Sequence, residues 1–366
     1  MSAPAKQRRL VTVERLPSLG ADQVSVRLAR PRVSARVSAR TVSVCVVVFG
    51  LVLFASAVNV SVGDFPIPLS DVFPAIVGQG NPDSDFIVRV LRLPRSLTGI
   101  LVGAAFGMSG AIFQSLARNP LASPDIIGIE AGAAFAAVLV IVILDPNTVG
   151  VTAGALIGAL ATAVAIYVLA YRRGVTGYRL VLVGIGVTAV LSGLTSYLLT
   201  RANIYDAARA VAWLTGSLNG RGWEHVGPVG ASMLVLVPAT LLLGRHLRGL
   251  QLGDDAARGL GVRIEVARGG LILAGVGLAA TAVASAGPVA FVALISPQIA
   301  RRLAGSASGA LVPAALTGAL VTLASDLVGR QAFGNVELPV GVITAIVGAP
   351  YFLWLLARAN RVGRGG

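Results

Sequence analysis

The chain has 366 residues, of which 55% are hydrophobic and only 13% are charged. Soluble domains carry about 25% charged residues, so this composition excludes a soluble core of this size and favours a membrane domain. The net charge is +14, but no basic stripe is interleaved with aromatic residues, so we expect a membrane-surface role for the charge and no nucleic-acid partner. The lone Cys45 and the distant His225 and His246 give neither a disulfide framework nor a metal site, and no cofactor is expected.

The chain divides by composition into three parts. Residues 1–40 are basic and contain serine and proline, which predicts a disordered cytoplasmic tail. Contact of this tail with anionic membrane lipid and simple solvation are both open. Residues 41–358 form the predicted transmembrane domain, and residues 359–366 a second, short cytoplasmic tail.

Apolar runs in the domain predict an all-α membrane protein with about ten transmembrane helices. A bilayer core about 30 Å thick requires roughly 20 apolar residues in a helix. One run contains only Glu130 as an interruption, and Gly287-Pro288 divides a run that is too long for one span. Two five-helix halves of inverted topology are the expected arrangement. The predicted spans are Thr41–Gly63, Ser96–Ala117, Ile126–Leu144, Pro146–Tyr171, Leu180–Thr200, Val226–Gly244, Gly269–Ala286, Val289–Leu303, Leu303–Ser325 and Leu338–Ala357.

The distribution of basic residues predicts the orientation. Ten spans place both termini on one side of the membrane, and cytoplasmic loops carry the excess of Lys and Arg. With a cytoplasmic amino terminus, 23 of the 30 basic residues lie inside and 7 outside. The predicted topology therefore has both termini in the cytoplasm.

Arginines on the predicted outer side run against this rule. Arg89, Arg92 and Arg95 precede the second span, and Arg330 lies at the outer end of the ninth. One interpretation is snorkelling at the interface or local ion pairs with nearby acids such as Asp85 or Asp83. The other is a docking surface for an acidic partner, because Arg binds carboxylates through two parallel hydrogen bonds.

Five segments, in order, resemble the FecCD-type permeases, the membrane subunits of iron-siderophore, haem and vitamin B12 ABC importers. The resemblance covers the chain from about Phe86 to Leu356. The segments are RLPRSLTGILVGAAFGMSGAIFQSLARNPLASPDIIGI, VAWLTGSLNG, LGDDAARGLGV, GPVAFVALISPQIARRLAG and SDLVGRQAFGNVELPVGVITAIVGAPYFLWLL.

The resemblance implies roles for three groups of residues. It implies docking of a substrate-binding protein at Arg92, Arg95 and Arg330. It implies an ATPase coupling loop, compatible with two short helices, at Gly253, Asp254, Asp255, Arg258 and Gly261. The fifth span would line the translocation path through Thr188, Ser192, Thr195 and Ser196. A solvated loop and helix packing through small polar residues are the respective alternatives for the last two groups.

Two positions depart from the family pattern. Gln298 stands where the family usually has histidine, and a structural role is expected there. Glu130 stands where small or amide residues are usual, and either solvation or pairing with Arg118 is expected for it.

The function expected is that of a permease subunit importing an iron(III)-siderophore, or a haem- or cobalamin-type chelate, without enzymatic activity of its own. The expected partners are ATPase subunits, an extracytoplasmic substrate-binding protein, a second permease copy or paralogue, and membrane lipid. A secondary transporter built from inverted repeats is the alternative, but ion-coupled carriers usually hold ionisable residues at mid-membrane, and the span centres here hold none. A membrane enzyme is disfavoured because no catalytic set lies in one plane.

Overall fold

The computed structural model describes residues 11–15, 23–28, 33–144, 148–171, 177–305, 310–334 and 336–362. Near the amino end, Val11–Arg15 (β1), Gln23–Leu28 (β2) and Val33–Ser38 (β3) form an antiparallel sheet in the order β1-β2-β3. The sequence predicts disorder for this segment, whereas the structure has strands there. Valines that alternate with polar residues explain the difference, since β-branched residues favour extended backbone. The rest of the predicted tail up to residue 32 lies outside the described residues.

Helices make up most of the chain after this sheet. Two π-helical segments extend this set: Ile87–Arg92 joins α3 to α4, and Val140–Leu144 continues α6. The helices are α1 (Ala39–Ser61), α2 (Leu69–Val77), α3 (Pro82–Phe86), α4 (Leu93–Ala117), α5 (Pro124–Ile127), α6 (Ile129–Leu139), α7 (Thr148–Ala170), α8 (Gly177–Arg201), α9 (Ile204–Leu214), α10 (Trp223–Gln251), α11 (Asp254–Gly259), α12 (Ile264–Ala286), α13 (Val292–Ala304), α14 (Leu311–Gln331) and α15 (Val340–Val362).

Each of the ten predicted spans overlaps one of the longer helices: α1, α4, α6, α7, α8, α10, α12, α13, α14 or α15. Across the described ranges, seven helices are long and apolar enough to cross a membrane. The apolar helices Ile129–Leu144 and Val340–Leu355 are shorter, and α13 has 13 residues. The helical membrane fold is therefore confirmed, while the number of crossings, the inverted halves and the orientation stay predictions. The last helix continues to Val362, beyond the predicted end of the domain, and residues 363–366 lie outside the described part.

The break predicted at Gly287-Pro288 is confirmed. Helix α12 ends at Ala286, and Gly287 has a φ of 77°, a conformation that favours glycine. Pro288 follows, and α13 begins at Val292. One long apolar run thus becomes two helices because this dipeptide cannot continue the first.

Helix α4 lies in the centre of the bundle and packs against α10, α12, α13 and α14. Its glycines permit this close packing. A side chain at Gly107 would collide with the Ala314 carbonyl of α14, and one at Gly103 with the Gly318 carbonyl. Small residues let helix backbones approach, which is the main source of packing energy between helices in lipid.

A π-helical turn leads into α4. Pro94 has no N–H to donate, and the preceding Leu93 N–H bonds to the Val88 carbonyl, five residues back. This wider turn carries Arg92, and Arg95 follows in the first turn of α4. The RLPR segment thus places two guanidinium groups at one end of the central helix.

Candidate functional site

The three predicted docking arginines gather at one end of the bundle. Arg92 ends the π-helical turn, Arg95 lies in α4, and Arg330 lies in the last turn of α14. All three line a cleft of about 550 Å³, together with Arg221 and Glu337. The structure therefore brings together residues that are up to 238 positions apart in the sequence.

Arg92 and Arg330 both hold the carboxyl end of α1. Arg92 donates to the carbonyls of Val60 at 2.8 Å and Ser61 at 3.1 Å. Arg330 donates to the carbonyls of Asn59 at 3.1 Å and Val62 at 2.7 Å. The last carbonyls of a helix have no partner within it and carry partial negative charge, so two cations there are stabilising.

Arg95 forms the principal ion pair of the cleft. Its Nη2 lies 2.9 Å from Asp326 Oδ1 and its Nη1 lies 3.3 Å from Glu337 Oε2. The side chains of Arg95 and Asp326 are 13% and 4% exposed, whereas Glu337 is 46% exposed. Glu337 also approaches Arg330, with 3.9 Å between Nε and Oε1. The ion-pair partners are thus Asp326 and Glu337, and not the local acids suggested by the sequence.

Asp326 and Glu337 are the residues of this candidate site that sequence reasoning missed. One signal was available for Asp326: it lies four residues before Arg330, on the same face of α14. Helix spacing does not point to Glu337, because it lies beyond the end of α14 and 242 residues from Arg95.

Arg221 is a further arginine in the cleft, in the segment between α9 and α10. Its guanidinium donates to the Ser217 carbonyl at 3.2 Å and contacts His225 Nε2 at 2.8 Å. Burial lowers the pKa of Arg221, and the negative charge of Glu224 opposes that shift. The group stays charged at neutral pH, because arginine begins from a very high pKa.

The predicted coupling loop forms one short helix, α11, between glycine turns. Gly253 and Gly261 have φ values of 113° and 76°, as expected for sharp turns. The side chain of Asp255 is fully exposed and that of Arg258 is 69% exposed. Asp254 instead turns toward the body of the protein, where Arg268 Nη2 lies 3.0 Å from its Oδ1. The loop contains one short helix and not the two with which its sequence is compatible.

The predicted path residues lie on two sides of α8. Ser192 and Ser196 are exposed, whereas Thr188 is half-buried and Thr195 is buried. The hydroxyls of Thr195 and Ser196 donate to carbonyls one turn back, at 2.8 and 3.0 Å. A side chain at Gly193 would meet nothing within 4 Å. The exposed surface of α8 therefore carries Gly193 and two hydroxyl groups beside larger apolar side chains such as Ile185 and Tyr197.

The two departures from the family pattern have different surroundings. Gln298 is buried, and its Nε2 donates to the Pro120 carbonyl at 2.9 Å, which ties α13 to the turn after α4. Glu130 is buried, and its Oε1 has no hydrogen-bond partner among the described residues. Arg118 contacts the Leu250 carbonyl and Asp254. Neither expectation for Glu130, solvation or pairing with Arg118, matches this arrangement.

Comparisons with known proteins agree over nearly the whole chain. The FecCD transport family matches residues 51–358. The ferric enterobactin transport system permease protein FepG of Escherichia coli (strain K12) is 39% identical over 325 residues, covering 89% of this chain and 98% of FepG. The iron(3+)-hydroxamate import system permease protein FhuG of Bacillus subtilis (strain 168) is 37% identical over 326 residues, covering 87% and 97%. A solved inward-facing metal-chelate type ABC transporter has a TM-score of 0.75 at 27% identity, covering 87% of this chain and 99% of that one.

The fold and the matches to known proteins together show that this chain is a multi-pass membrane transport protein and not an enzyme. The chain belongs to the FecCD transport family. The resemblance, the permease role and the membrane location predicted from the sequence are confirmed. The docking, coupling and path roles of individual residues stay predictions.

Proposed function

We propose that this chain is the permease subunit through which an ABC importer moves a ferric siderophore into the cytoplasm. The observation that carries this proposal is its similarity to FepG and FhuG over nearly their full lengths. Both relatives are named for iron chelates, ferric enterobactin and iron(3+)-hydroxamate. Haem and cobalamin are the other cargoes that the family resemblance implies, and these two relatives favour iron over both.

Family membership implies partner ATPase and substrate-binding subunits. A second copy of this chain, or a paralogue, would complete the path. The exposed side of α8, with Ser192, Gly193 and Ser196, supports this arrangement, because small residues and hydroxyls suit a wetted helix interface. With both termini in the cytoplasm, α11 faces the ATPase and the arginine cleft faces the binding protein.

The geometry of the cleft supports docking by exchange of carboxylates. Glu337 is a half-exposed acid of the cleft, and its contacts with Arg95 and Arg330 are longer than the contact between Arg95 and Asp326. An exposed ion pair contributes ~1 kcal/mol or less, so an incoming carboxylate can replace Glu337 at small cost. Asp326 would meanwhile keep Arg95 in position.

Charge reversal tests the docking surface. We expect Arg92→Glu combined with Arg95→Glu to abolish binding of the cognate substrate-binding protein to the permease in nanodiscs, and with it iron uptake. Arg201→Glu is the matched control, because Arg201 is exposed on the same predicted side and does not line the cleft. Normal uptake by the double variant would refute the docking assignment, and membrane insertion of each variant is checked by fractionation.

Growth under iron limitation tests the cargo. A strain lacking this gene is supplied singly with ferric enterobactin, a ferric hydroxamate, ferric citrate or haem. We expect loss of growth on at least one ferric siderophore and restoration by the intact gene. Unchanged growth on every iron source would refute the iron cargo, and cobalamin uptake would be measured next.

A further inference from the structure

Two neighbouring acids of α11 have opposite surroundings. Asp255 is fully exposed and contacts Arg258 within the same helix at 3.7 Å. Asp254 Oδ1 accepts from Arg268 of α12 at 3.0 Å and from Arg118, at the end of α4, at 3.4 Å. Of the two side chains, Asp254 is the one that joins α11 to the body of the protein.

The backbone hydrogen bonds at the two ends of α11 are local, such as that from the Val262 N–H to the Ala257 carbonyl at 3.0 Å. Gly253 and Gly261 flank the helix, and a side chain at either would meet nothing within 4 Å. Glycine turns in open space are conformationally permissive. Ala257 is fully buried and lies three residues after Asp254, so these two residues share the face of α11 that packs against the protein.

The partners of Asp254 belong to helices that run through the bundle. Arg118 Nη2 also donates to the Leu250 carbonyl at 2.7 Å, which joins the end of α4 to the end of α10. Helix α4 carries Arg118 at this end and Arg95 at the other, where the arginine cleft lies. Asp254 therefore connects α11 to the end of a helix whose other end lies at the arginine cleft.

We infer that Asp254 is a positioning residue that clamps α11 to α4 and α12 through Arg118 and Arg268, while Asp255 and Arg258 face the ATPase. Its consequence for transport rests on the proposed function, but the clamp itself is tested on this chain alone. Both ion pairs are partly exposed, so the clamp fixes an orientation and adds little to overall stability.

The clamp is measured by hydrogen exchange of the full-length chain in nanodiscs. We expect Asp254→Asn to speed amide exchange in α11 about fivefold. This factor corresponds to a loss of ~1 kcal/mol in the free energy of local opening, at 1.4 kcal/mol per tenfold change in exchange. Arg268→Gln removes one of the two contacts of Asp254 and should speed exchange by a smaller factor, and the double variant should be no faster than Asp254→Asn, because Asp254→Asn already removes the contact with Arg268. Asp254→Glu should retain slow exchange, and Asp255→Asn, the matched control, should leave it unchanged. Unchanged exchange in Asp254→Asn, or additive effects in the double variant, would overturn the inference.

The role in coupling has a separate readout. Permease variants are co-reconstituted with the cognate ATPase and binding protein, and ATP hydrolysed per ⁵⁵Fe imported is measured with the ferric siderophore that restores growth of the deletion strain. We expect Asp254→Asn to keep the ATPase bound but to raise this ratio about fivefold. Asp255→Asn should instead weaken retention of the ATPase. Loss of the ATPase from Asp254→Asn would show that Asp254 is an ATPase contact and would overturn the clamp. Failure of the proposed function is distinguishable, because the unaltered chain would then import no iron.

Discussion

Removing the negative charge of Asp326 is the sharpest test of the cleft. Arg95 and Asp326 are 13% and 4% exposed, and Asp326 accepts from both Nε and Nη2 of the guanidinium. Breaking a buried pair by removing one partner costs about 3–5 kcal/mol. Glu337 remains 3.3 Å from Arg95 Nη1 and compensates in part, so Asp326→Asn should lower the free energy of unfolding by about 2–3 kcal/mol.

The assay is titration of the chain with SDS in mixed micelles, followed by circular dichroism. Glu337→Gln is the matched control, since Glu337 is 46% exposed and its loss should cost ~1 kcal/mol or less. Replacing the pair, Arg95→Met with Asp326→Leu, should restore most of the stability, because apolar residues of similar volume often replace a buried pair without loss. A change within ~0.5 kcal/mol for Asp326→Asn would refute the account of this ion pair.

Substitutions at three further positions are predicted to lower stability or coupling, for reasons of packing, backbone conformation and hydrogen bonding. Gly107→Val should reduce the yield of folded protein and destabilise it by about 3 kcal/mol or more, because the valine side chain would collide with the backbone of α14. Gly193→Ala is the control: its added methyl group lies in open space, so the free energy of unfolding in the same SDS titration should be unchanged or slightly higher. Gly253→Val should strain the turn before α11 by about 1–3 kcal/mol and raise the ATP hydrolysed per iron imported, and an unchanged ratio would contradict the coupling role of this turn. Gln298→Leu should lower thermal stability by about 1–3 kcal/mol through loss of its buried hydrogen bond, whereas Gln298→His should retain a donor there and lose less.

The helices were predictable because the signal for a membrane span is local. A run of about 20 apolar residues is sufficient to predict each of the seven helices of spanning length among the described residues, and Gly287-Pro288 marks the break between α12 and α13. The strands before α1 are not predicted by composition, because a basic segment that contains serine and proline is typical of a disordered tail. Valine nevertheless alternates with polar residues there. This alternation has a period of two residues, which predicts strands.

The candidate site was predictable only in part. Topology alone selects the outward arginines, since they contradict the positive-inside rule. Their partners come from distant positions: Asp326 lies 231 residues from Arg95, and the carbonyls bound by Arg330 lie at the end of α1. The inward turn of Asp254, one residue from the exposed Asp255, likewise depends on tertiary contacts with α4 and α12. Sequence pattern identifies residue types at such a site, and the fold decides which of them meet.

Accumulation of ⁵⁵Fe tests the central claim most directly. Cells that carry or lack this gene receive the same ⁵⁵Fe-labelled ferric siderophores, one at a time, and a third strain carries the gene restored on a plasmid. The account predicts that at least one ferric siderophore accumulates only when the gene is present and that the plasmid restores it. Equal accumulation in all three strains for every siderophore tested would contradict the assignment of this chain as an iron-chelate permease.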